Sequence, residues 1–415
     1  MKKYLTILLV AITATACVND DTDFSDLING AGGSDKPEEE VITPIDIALD
    51  YSDLVEADDV VVTDETDEAY SDYEENTDWS YTINVAYDGD QVTLSGNTSR
   101  VRSTVEGGHV VIRSTSNRVH YVLSGTSDNG SFKIYSENKF KLTLNGLTLT
   151  NPTGAAINNQ GGKSLYLVLA DGTSNTLTDG STYTDTAGEQ MKGTLFSEGQ
   201  VLVSGKGSLN IAGNCRNALV SDDYFRFRPG CKVNITCSTG HGIKANDGII
   251  MDGGVLNIAV SGDGSKGIRC DSTMTVNGGR TTIIATGGVA ITPATDIAAA
   301  DTSSCAGIKC DWPLTINGGS LLCKATGEGG KGINNVGDIV MTGGSVQVVT
   351  LGTKNLASPK GIKSDGTLTM SGGYLYSYSA NASPIDANGG LMVGIDYTTW
   401  ETKTTRVIIS FLTEP

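Results

Sequence analysis

The sequence is poor in the residues that most hydrolases and fibrous proteins need. Only three of its 415 residues are histidine, so a Ser/His/Asp hydrolase is improbable. Nine prolines are too few for a collagen-like or proline-rich chain, although glycine is abundant at 52 residues. The eight cysteines form no Cys-x-x-Cys motif, so nothing supports a structural zinc site. What is present is a long, glycine-rich chain without a helical period.

The net charge of −19 is concentrated in one segment near the N-terminus. Residues 18–80 contain 22 Asp and Glu and a single basic residue, Lys36. The 335 residues that follow contain 26 acidic and 26 basic side chains, so the body of the chain is neutral. Many like charges without an apolar pattern predict an acidic flexible linker over residues 18–80. A neutral body behind an acidic segment also argues against a nucleic-acid partner.

Residues 1–17, MKKYLTILLVAITATAC, have the form of a secretory signal peptide. Two lysines precede an apolar run too short for a membrane span, and small residues lead to Cys17. A cysteine directly after the cleavage point can take a lipid, so we predict lipidation of Cys17. Ala14 stands where lipoproteins usually have leucine, and ordinary secretion is the alternative. The acidic residues after Cys17 resemble the surface-export signal of Bacteroides-type lipoproteins, which implies an outer-membrane lipoprotein exposed at the cell surface. A plain acidic spacer is equally compatible with the charge.

A thirteen-residue cassette occurs five times in the second half of the chain. Its copies read GIKANDGIIMDGG, GIRCDSTMTVNGG, GIKCDWPLTINGG, GINNVGDIVMTGG and GIKSDGTLTMSGG. They begin at Gly242, Gly267, Gly307, Gly332 and Gly361, so the spacing is 25, 40, 25 and 29 residues. The cassette is constant in length while the connectors vary, and the longest connector predicts a loop that bulges out before Ala306. Periods of this size indicate a solenoid.

The apolar residues of the cassette alternate with a period of two. Positions eight and ten are apolar in every copy, as in Met274 and Val276, and position nine is usually polar. This alternation is typical of strands with one buried face, and the closing glycine doublets mark turns with positive φ. We therefore predict an all-β fold, a single-stranded parallel β-helix, over residues 81–395, with residues 396–415 as a C-terminal cap; the right-handed form is what the family resemblance given below implies. A β-propeller is the alternative, but most copies are shorter than a propeller blade of roughly 40–45 residues.

Two positions of the cassette repeat charge, which a structural role does not explain. Stacked coils bring equivalent residues within about 4.8 Å of each other, so each position becomes a row on one face. The third position and the residue before the first glycine supply the candidate cations for binding a polyanion: Lys244, Arg269, Lys309 and Lys363, and Lys266, Lys331 and Lys360. The fifth position or its neighbour supplies the candidate metal-binding carboxylates: Asp247, Asp271, Asp311 and Asp365.

These rows admit a structural and a functional interpretation. Stacked like charges repel, so a row of lysines beside a row of aspartates could simply neutralise itself. Alternatively, the cations bind the carboxylates of a polyanion, and the aspartates bind calcium, which accepts carboxylate oxygens. Trp312 follows Asp311 and could contact a sugar or pack at a corner. Tyr374, Tyr376 and Tyr378 could stack on sugars or cap the end of the solenoid.

The segments GIKSDG…TMSGG, YVLSGTSDNGSFKI and SNTLTDG resemble a bacterial cell-surface carbohydrate-binding family first found in cellulolytic clostridia. The resemblance covers about residues 81–395. It implies a pectate-lyase-like right-handed β-helix that binds calcium and polygalacturonate without established cleavage. The copy at Gly332 departs from the pattern, because Asn334 and Val336 replace both charged positions.

The sequence therefore predicts a monomeric surface lipoprotein that binds acidic, pectin-like polysaccharide with calcium and without catalysis. Its membrane contact is expected through the lipid anchor alone. One alternative is a calcium-dependent polysaccharide lyase on the same scaffold, in which a lysine acts as the base. The other is a purely structural β-helix adhesin.

Overall fold

The computed structural model describes residues 42–294 and 300–411. Its parallel strands stack into an all-β solenoid of about 11 turns, as the cassette predicts. The helices of the described residues are three short 3₁₀ segments, Glu68–Asp72, Glu74–Asn76 and Thr98–Arg100. None of the helices in these ranges has the length and apolar character that crossing a membrane requires. The predicted signal peptide, Cys17 and residues 18–41 of the linker lie outside the described residues.

Each full coil contributes one strand to each of three stacks of parallel strands. We number the stacks in the order in which the chain passes through them from the start of a cassette. The first stack has 12 strands and carries the start of every cassette. Its strands are Arg102–Glu106, Gly108–Ser114, Gly130–Ser136, Ile157–Asn159, Gly193–Ser197, Asn217–Ser221, Ile243–Ala245, Lys266–Cys270, Ala306–Cys310, Lys331–Asn335, Lys360–Ser364 and Ile385–Ala387. All its neighbours pair in parallel except the first two, which form an antiparallel hairpin.

The second and third stacks are joined into one 23-stranded sheet by the long strand Phe140–Asn151, which belongs to both. The other strands of the second stack are Leu165–Leu169, Val201–Ser204, Tyr224–Phe227, Gly248–Met251, Thr273–Val276, Leu314–Ile316, Ile339–Met341, Leu368–Met370 and Leu391–Val393. The other strands of the third stack are Tyr81–Asp88, Gln91–Gly96, Val119–Ser127, Ser174–Asp179, Ser208–Gly213, Lys232–Cys237, Val255–Val260, Arg280–Ala285, Ser320–Ala325, Ser345–Thr350, Tyr374–Ser379, Tyr397–Thr402 and Arg406–Phe411. The last two form an antiparallel hairpin that pairs with Tyr374–Ser379.

The apolar cassette positions line one continuous core between the stacks. Ile268, Met274 and Val276 of one coil are at most 1% exposed, and the same positions of the other coils are buried with them. The second glycine of each doublet turns the chain with positive φ, for example 78° at Gly279 and 72° at Gly344. A side chain at either position would strain the backbone, which explains why the doublet recurs.

The longest connector forms an antiparallel hairpin of strands Val289–Thr292 and Asp301–Ser304. It projects between two coils of the first stack, as its extra length predicts. The hairpin lies over Lys266, whose ammonium group is hydrogen-bonded to Ser303 Oγ and the Ser304 carbonyl at 3.0 and 2.6 Å. This connector therefore changes which cations of the first stack remain accessible.

Residues 42–80, which we name the acidic segment, differ from the flexible linker that the sequence predicts. The segment runs the length of the solenoid, packs along the third stack and crosses to the second. Its carboxylates pair with cations of these stacks: Asp46 with Lys324, Asp50 with Arg280, Asp53 with Lys232, Asp59 and Glu75 with Arg228, Asp72 with Arg226, and Glu74 with Lys141. The charges that suggest a solvated linker are therefore matched by a basic surface that is distant in sequence.

Apolar contacts fix the start of the acidic segment to the last coils. Ile47 is buried with Val349, Tyr376 and Tyr378, and the backbone N–H of Ile45 donates to Tyr376 Oη at 3.3 Å. At the other end of the solenoid, Asp78 pairs with Arg118. The segment is thus anchored at both ends.

Candidate functional site

The cations at the third cassette position form a row on the outer face of the first stack. Lys244, Arg269 and Lys309 are successive partners in the parallel register, followed by Asn334 and Lys363. We name Lys244, Arg269, Lys309 and Lys363 the cation row. Their side chains are 14–30% exposed, so their charged ends reach the surface while their stems are packed.

The aspartates follow the same strands and form a second row beside the cations. We name Asp271, Asp311 and Asp365 the carboxylate row, with Val336 at the corresponding place in the fourth copy. The ion pairs between the rows join Arg269 to Asp271 and to Asp311 at 2.5 Å each, Lys309 to Asp311 at 2.7 Å, Lys363 to Asp365 at 2.6 Å, and Lys244 to Asp271 at 3.6 Å. Because Arg269 bridges two coils, the pairs run along the solenoid as well as across it.

These pairs make the rows self-neutralising, as the structural interpretation expects, but they do not make them inert. The aspartates of the row are 28–40% exposed, so each pair exchanges with solvent and contributes only about 0–1 kcal/mol to stability. An incoming carboxylate can therefore replace an aspartate at a lysine at small cost. The geometry of the two rows agrees with both the structural and the functional interpretation. The residues that surround the rows distinguish the two.

The second set of predicted cations is divided by the structure. Lys331 and Lys360 are register partners in the first stack, and Lys360 pairs with Asp386 at 2.8 Å. Lys331 Nζ donates to Ser304 Oγ at 2.8 Å and to the Gly329 carbonyl at 3.4 Å. Lys266 is only 5% exposed beneath the hairpin of residues 289–304. Lys266 was predicted to bind carbohydrate, but in this arrangement the hairpin shields it from a ligand on the surface.

Burial perturbs the protonation of Lys266 and Lys331 and of the neighbouring His241. It lowers the pKa of Lys266 to about 8 and the pKa of Lys331 to about 8, in each case with neighbouring cations adding to the effect. His241 lies next to Lys266 and accepts a hydrogen bond from its backbone N–H at 3.1 Å. Burial, reinforced by Lys266, lowers the pKa of His241 to about 4. At neutral pH this histidine is therefore uncharged and serves as an acceptor.

The carboxylates do not form a calcium site by themselves. Among residues 42–294 and 300–411, no three side chains of His, Cys, Asp or Glu are grouped in a way that could hold a metal ion. Calcium needs roughly six to eight oxygen ligands, whereas a coil offers at most one carboxylate of the row, and Asp271, Asp311 and Asp365 are each already paired with a cation. Asp247 is separate from the row, exposed at a turn where its charge acts on Asp223. The residues present therefore do not fit a calcium site made by the protein alone.

Trp312 supplies an aromatic surface beside the rows. It directly follows Asp311 and is 62% exposed, so it does not pack at a corner. An exposed indole offers an apolar face and a polar N–H, a combination suited to a sugar ring. The tyrosines of the last cassette are placed differently, because Tyr376 and Tyr378 are 3% and 8% exposed beneath the acidic segment. They hold that segment and are not open to sugar.

The cations that face the acidic segment, on the second and third stacks, are engaged by it. For example, Arg228 is 2% exposed and donates to both carboxylate oxygens of Glu75 at 2.9 Å. The acidic segment contributes 14 acidic residues and no basic residue, so it covers that surface as a polyanion would. None of the ion pairs of the acidic segment described above involves a cation on the outer face of the first stack. The first stack is therefore the cationic face available to a ligand.

Sequence reasoning missed a second cationic group at the N-terminal end of the first stack. A cavity of about 700 Å³ is lined there by Arg100, Arg102 and Arg113 together with Tyr135 and other polar residues. Arg102 and Arg113 belong to the antiparallel hairpin that starts the stack, whose coils do not carry the cassette. The only signal in the sequence is three arginines within fourteen residues, which has no repeat to support it.

A model of the family described as carbohydrate-binding domain-containing protein matches residues 106–268 and 264–352, which together make up more than half of the chain. No curated protein matches the chain. Among solved structures, a polysaccharide lyase-like protein from C. thermocellum, solved as a gadolinium derivative, has a TM-score of 0.43 and 16% sequence identity to the chain. That alignment covers 67% of this chain and 98% of the other.

Proposed function

Because the chain belongs to the family of carbohydrate-binding domain-containing proteins, we propose that it binds an acidic polysaccharide of the polygalacturonate type along the first stack. Binding of carbohydrate in general is what membership of the family supports. The acidic character of the ligand is inferred from the cation row. The single observation that carries the proposal is that this row lies on an open face beside an exposed Trp312, whereas the opposite cationic surface is covered by the acidic segment.

The regular spacing of the cation row suits a ligand with a regular charge. Lys244, Arg269 and Lys309 are separated by one coil each, about 4.8 Å, so they present a periodic line of donors. Carboxylates that accept from lysine or arginine form charge-assisted hydrogen bonds, which are stronger than those between neutral groups. A uronate chain lying along the row would gain several such bonds at once. The aspartates would then accept hydrogen bonds from sugar hydroxyls.

The gap at the fourth copy divides the row into two parts. Asn334 and the 43% exposed Val336 interrupt the charges between Lys309 and Lys363. An amide and an apolar side chain suit a neutral part of a sugar better than a carboxylate. We therefore expect the polysaccharide to make ionic contacts on both sides of this gap, at Lys244 to Lys309 and at Lys363, with Trp312 packed against a ring at the coil of Lys309.

The experiment compares two double variants of equal charge in the full chain. Lys309→Gln with Lys363→Gln removes two cations from the open row. Lys232→Gln with Lys324→Gln removes two cations from the surface that the acidic segment covers. Isothermal titration calorimetry with polygalacturonate should show a loss of about tenfold or more in affinity for the first variant, because each charge-assisted contact contributes about 1.5–3 kcal/mol. The second variant should bind as the wild type does.

A neutral glucan of equal length is the control for ionic recognition. If the first variant binds polygalacturonate as tightly as the wild type while melting at a lower temperature, the rows are structural and the proposal is wrong. If both variants lose affinity equally, net charge rather than the row governs binding, which also contradicts the proposal.

Calcium dependence and the surface location remain predictions. Since the described residues do not form a calcium site alone, any calcium would have to be shared with the carboxylates of the ligand. Repeating the titration with calcium and with a chelator tests this directly. Equal affinities under the two conditions would show that binding needs no calcium.

A polysaccharide lyase is a second candidate because of one observation at Lys331. Its ammonium group is bonded by a hydroxyl and a carbonyl instead of a carboxylate, and burial lowers its pKa to about 8. A general base works best when its pKa is near the working pH, and proton abstraction beside a uronate carboxylate needs such a base. Unsaturated product released from polygalacturonate by the wild type, and absent with Lys331→Met, would establish this activity. Without any product, the protein is a binding module.

A further inference from the structure

The cavity at the N-terminal end of the first stack contains three arginines, and the nearby Glu189 carboxylate interacts with Arg113 only through its charge, without an ion pair. Arg100, Arg102 and Arg113 line it, with Glu137 as the one acidic residue in its wall. Within the described ranges, none of the three guanidinium groups forms an ion pair with a carboxylate. The cation row differs in this respect, because each of its cations has an aspartate partner. The two ends of the same face therefore differ in electrostatic balance.

The placement of these arginines brings like charges together. Arg102 and Arg113 are directly opposite each other in the antiparallel register, so they share one face of the hairpin. Like charges directly opposite each other in a sheet repel. Arg100 lies two residues before Arg102, in the 3₁₀ turn Thr98–Arg100 at the same wall of the cavity. All three side chains are exposed, so they can reach a ligand.

Aromatic rings hold two of the arginines in fixed orientations. The guanidinium of Arg113 lies 3.9 Å from the ring centroid of Tyr135, and that of Arg100 lies 3.9 Å from the ring centroid of Tyr81. Such stacking leaves the N–H groups at the edge of each guanidinium free to donate in the plane. Tyr135 is fixed in turn by a hydrogen bond from its hydroxyl to Glu189. The cavity wall is therefore organised before a ligand arrives.

The position of the cavity connects it to the carboxylate row. Arg113 and Tyr135 are register partners, and the backbone hydrogen bonds of the later coils continue the same line to Asp271 and Asp311. The residues along this line thus change from positively charged at the first coils to negatively charged at the later ones. A ligand that spans the face would meet its strongest positive potential at this end.

We propose that the arginine-lined cavity is a separate binding site for an anionic sugar residue of an oligosaccharide, carrying a carboxylate or a sulfate ester. Arginine suits both groups because its planar fork donates two parallel hydrogen bonds to two oxygens. The volume of about 700 Å³ and the polar wall, which includes Gln160 and Glu137, suit a short saccharide with hydroxyl groups. This inference rests on the proposed function, in which the ligand is an acidic polysaccharide, and it places one end of that ligand in the cavity.

The test uses the full chain with short oligosaccharides that are too small to span the face. Arg102→Gln with Arg113→Gln is compared with Lys163→Gln and Lys354→Gln, a control with the same charge change at exposed lysines outside the cavity. The probes are a galacturonate trimer, a sulfated trisaccharide and a neutral trisaccharide, measured by calorimetry. We expect the arginine variant to lose affinity about tenfold or more for each arginine removed, and the control to lose none. Preference for the first or second probe identifies carboxylate or sulfate as the recognised group.

The outcomes separate this site from the cation row. If the arginine variant binds every trimer as the wild type does while Lys309→Gln with Lys363→Gln weakens polymer binding, the cavity proposal is wrong and the proposed function stands. If only the arginine variant loses affinity, the cavity is the site and the cation row is structural. If neither anionic probe binds the wild-type protein, the cavity proposal is overturned. Circular dichroism of each variant confirms that the fold is retained.

Discussion

Replacement of Arg228 by methionine should loosen the acidic segment from the solenoid. Arg228 is 2% exposed, donates to both oxygens of Glu75 at 2.9 Å, pairs with Asp59 at 2.9 Å and lies 4.5 Å from the ring centroid of Tyr73. Removing one partner of a buried ion pair typically costs about 3–5 kcal/mol. Because the side chains of Glu75 and Asp59 are 44% and 28% exposed, both can regain water, which reduces the expected cost to about 2–3 kcal/mol.

The assay is hydrogen exchange of the backbone amides in residues 42–80. A loss of about 2 kcal/mol in local stability raises the exchange rate of this segment roughly thirtyfold, while amides in the coil cores keep their protection. Lys354→Met is the control, since Lys354 is exposed in the connector that leads from Ser345–Thr350 to Lys360–Ser364. If exchange in the acidic segment is unchanged in Arg228→Met, the ion pairs do not hold the segment and its apolar contacts alone do.

The same contact predicts a dependence on pH. Partial burial acts to raise the pKa of Glu75, but the hydrogen bonds to this carboxylate, chiefly from Arg228, and the charges of Arg228 and Lys141 together outweigh burial and keep the pKa below the ordinary value. The stabilisation is therefore fully present above pH 4.5 and is lost as the pH falls through the folded-state pKa. Burial raises the pKa of Asp59, so the pH dependence that this carboxylate contributes has the opposite sign. The difference between the wild type and Arg228→Met should thus shrink on acidification, and an unchanged difference down to pH 3 would contradict this reasoning.

Three further predictions concern a buried lysine, a glycine and the anchor. The pKa of Lys266 is lowered from 10.5 to about 8 in the folded state, so the unfolded chain binds more protons between these pH values. The stability of the wild type should therefore rise between pH 7 and pH 10.5 by about 3 kcal/mol relative to Lys266→Met, as measured by urea unfolding. An equal dependence of stability on pH in the two proteins would refute this prediction. Gly332→Ala should lower the free energy of unfolding by about 1–3 kcal/mol, because the new Cβ would overlap the side chain of Val348. Gly162→Ala should change it little, because no atom lies within 4 Å of the new Cβ. Similar losses of stability for the two variants in urea unfolding would refute the packing argument. Cys17→Ala should move the protein from the membrane to the soluble fraction, and unchanged fractionation would show that Cys17 carries no lipid.

The coils could be predicted from the sequence because their signals are local. Alternation with a period of two fixes which side of a strand is buried, and the glycine doublets fix the turns, as Gly279 and Gly344 show. The register that stacks Arg269 on Lys309 follows from the constant length of the cassette. The length of the longest connector predicted an outward loop, although its hairpin form could not be read from the sequence.

The acidic segment could not be predicted, since its partners are distant in sequence. Lys324 is 278 residues from Asp46, and no pattern near either residue indicates the other. A run of carboxylates without apolar periodicity is typical of a solvated chain, and only the assembled solenoid presents the matching cations. The arginine cavity was missed for a related reason. Arg102 and Arg113 become neighbours through a hairpin in the first coils, where the cassette is absent.

The direction in which the acidic segment runs decides at which end of the solenoid the N-terminal part of the chain is attached. Ile42 packs near Tyr378 at the last coils, and Asp78 pairs with Arg118 at the first coils. About 11 turns at a spacing of about 4.8 Å separate the two ends by about 50 Å. If Cys17 carries a lipid, the chain from the anchor joins the solenoid at its last coils. The arginine cavity then lies at the end of the solenoid opposite the point of attachment, so the tether does not compete with a ligand for the cavity.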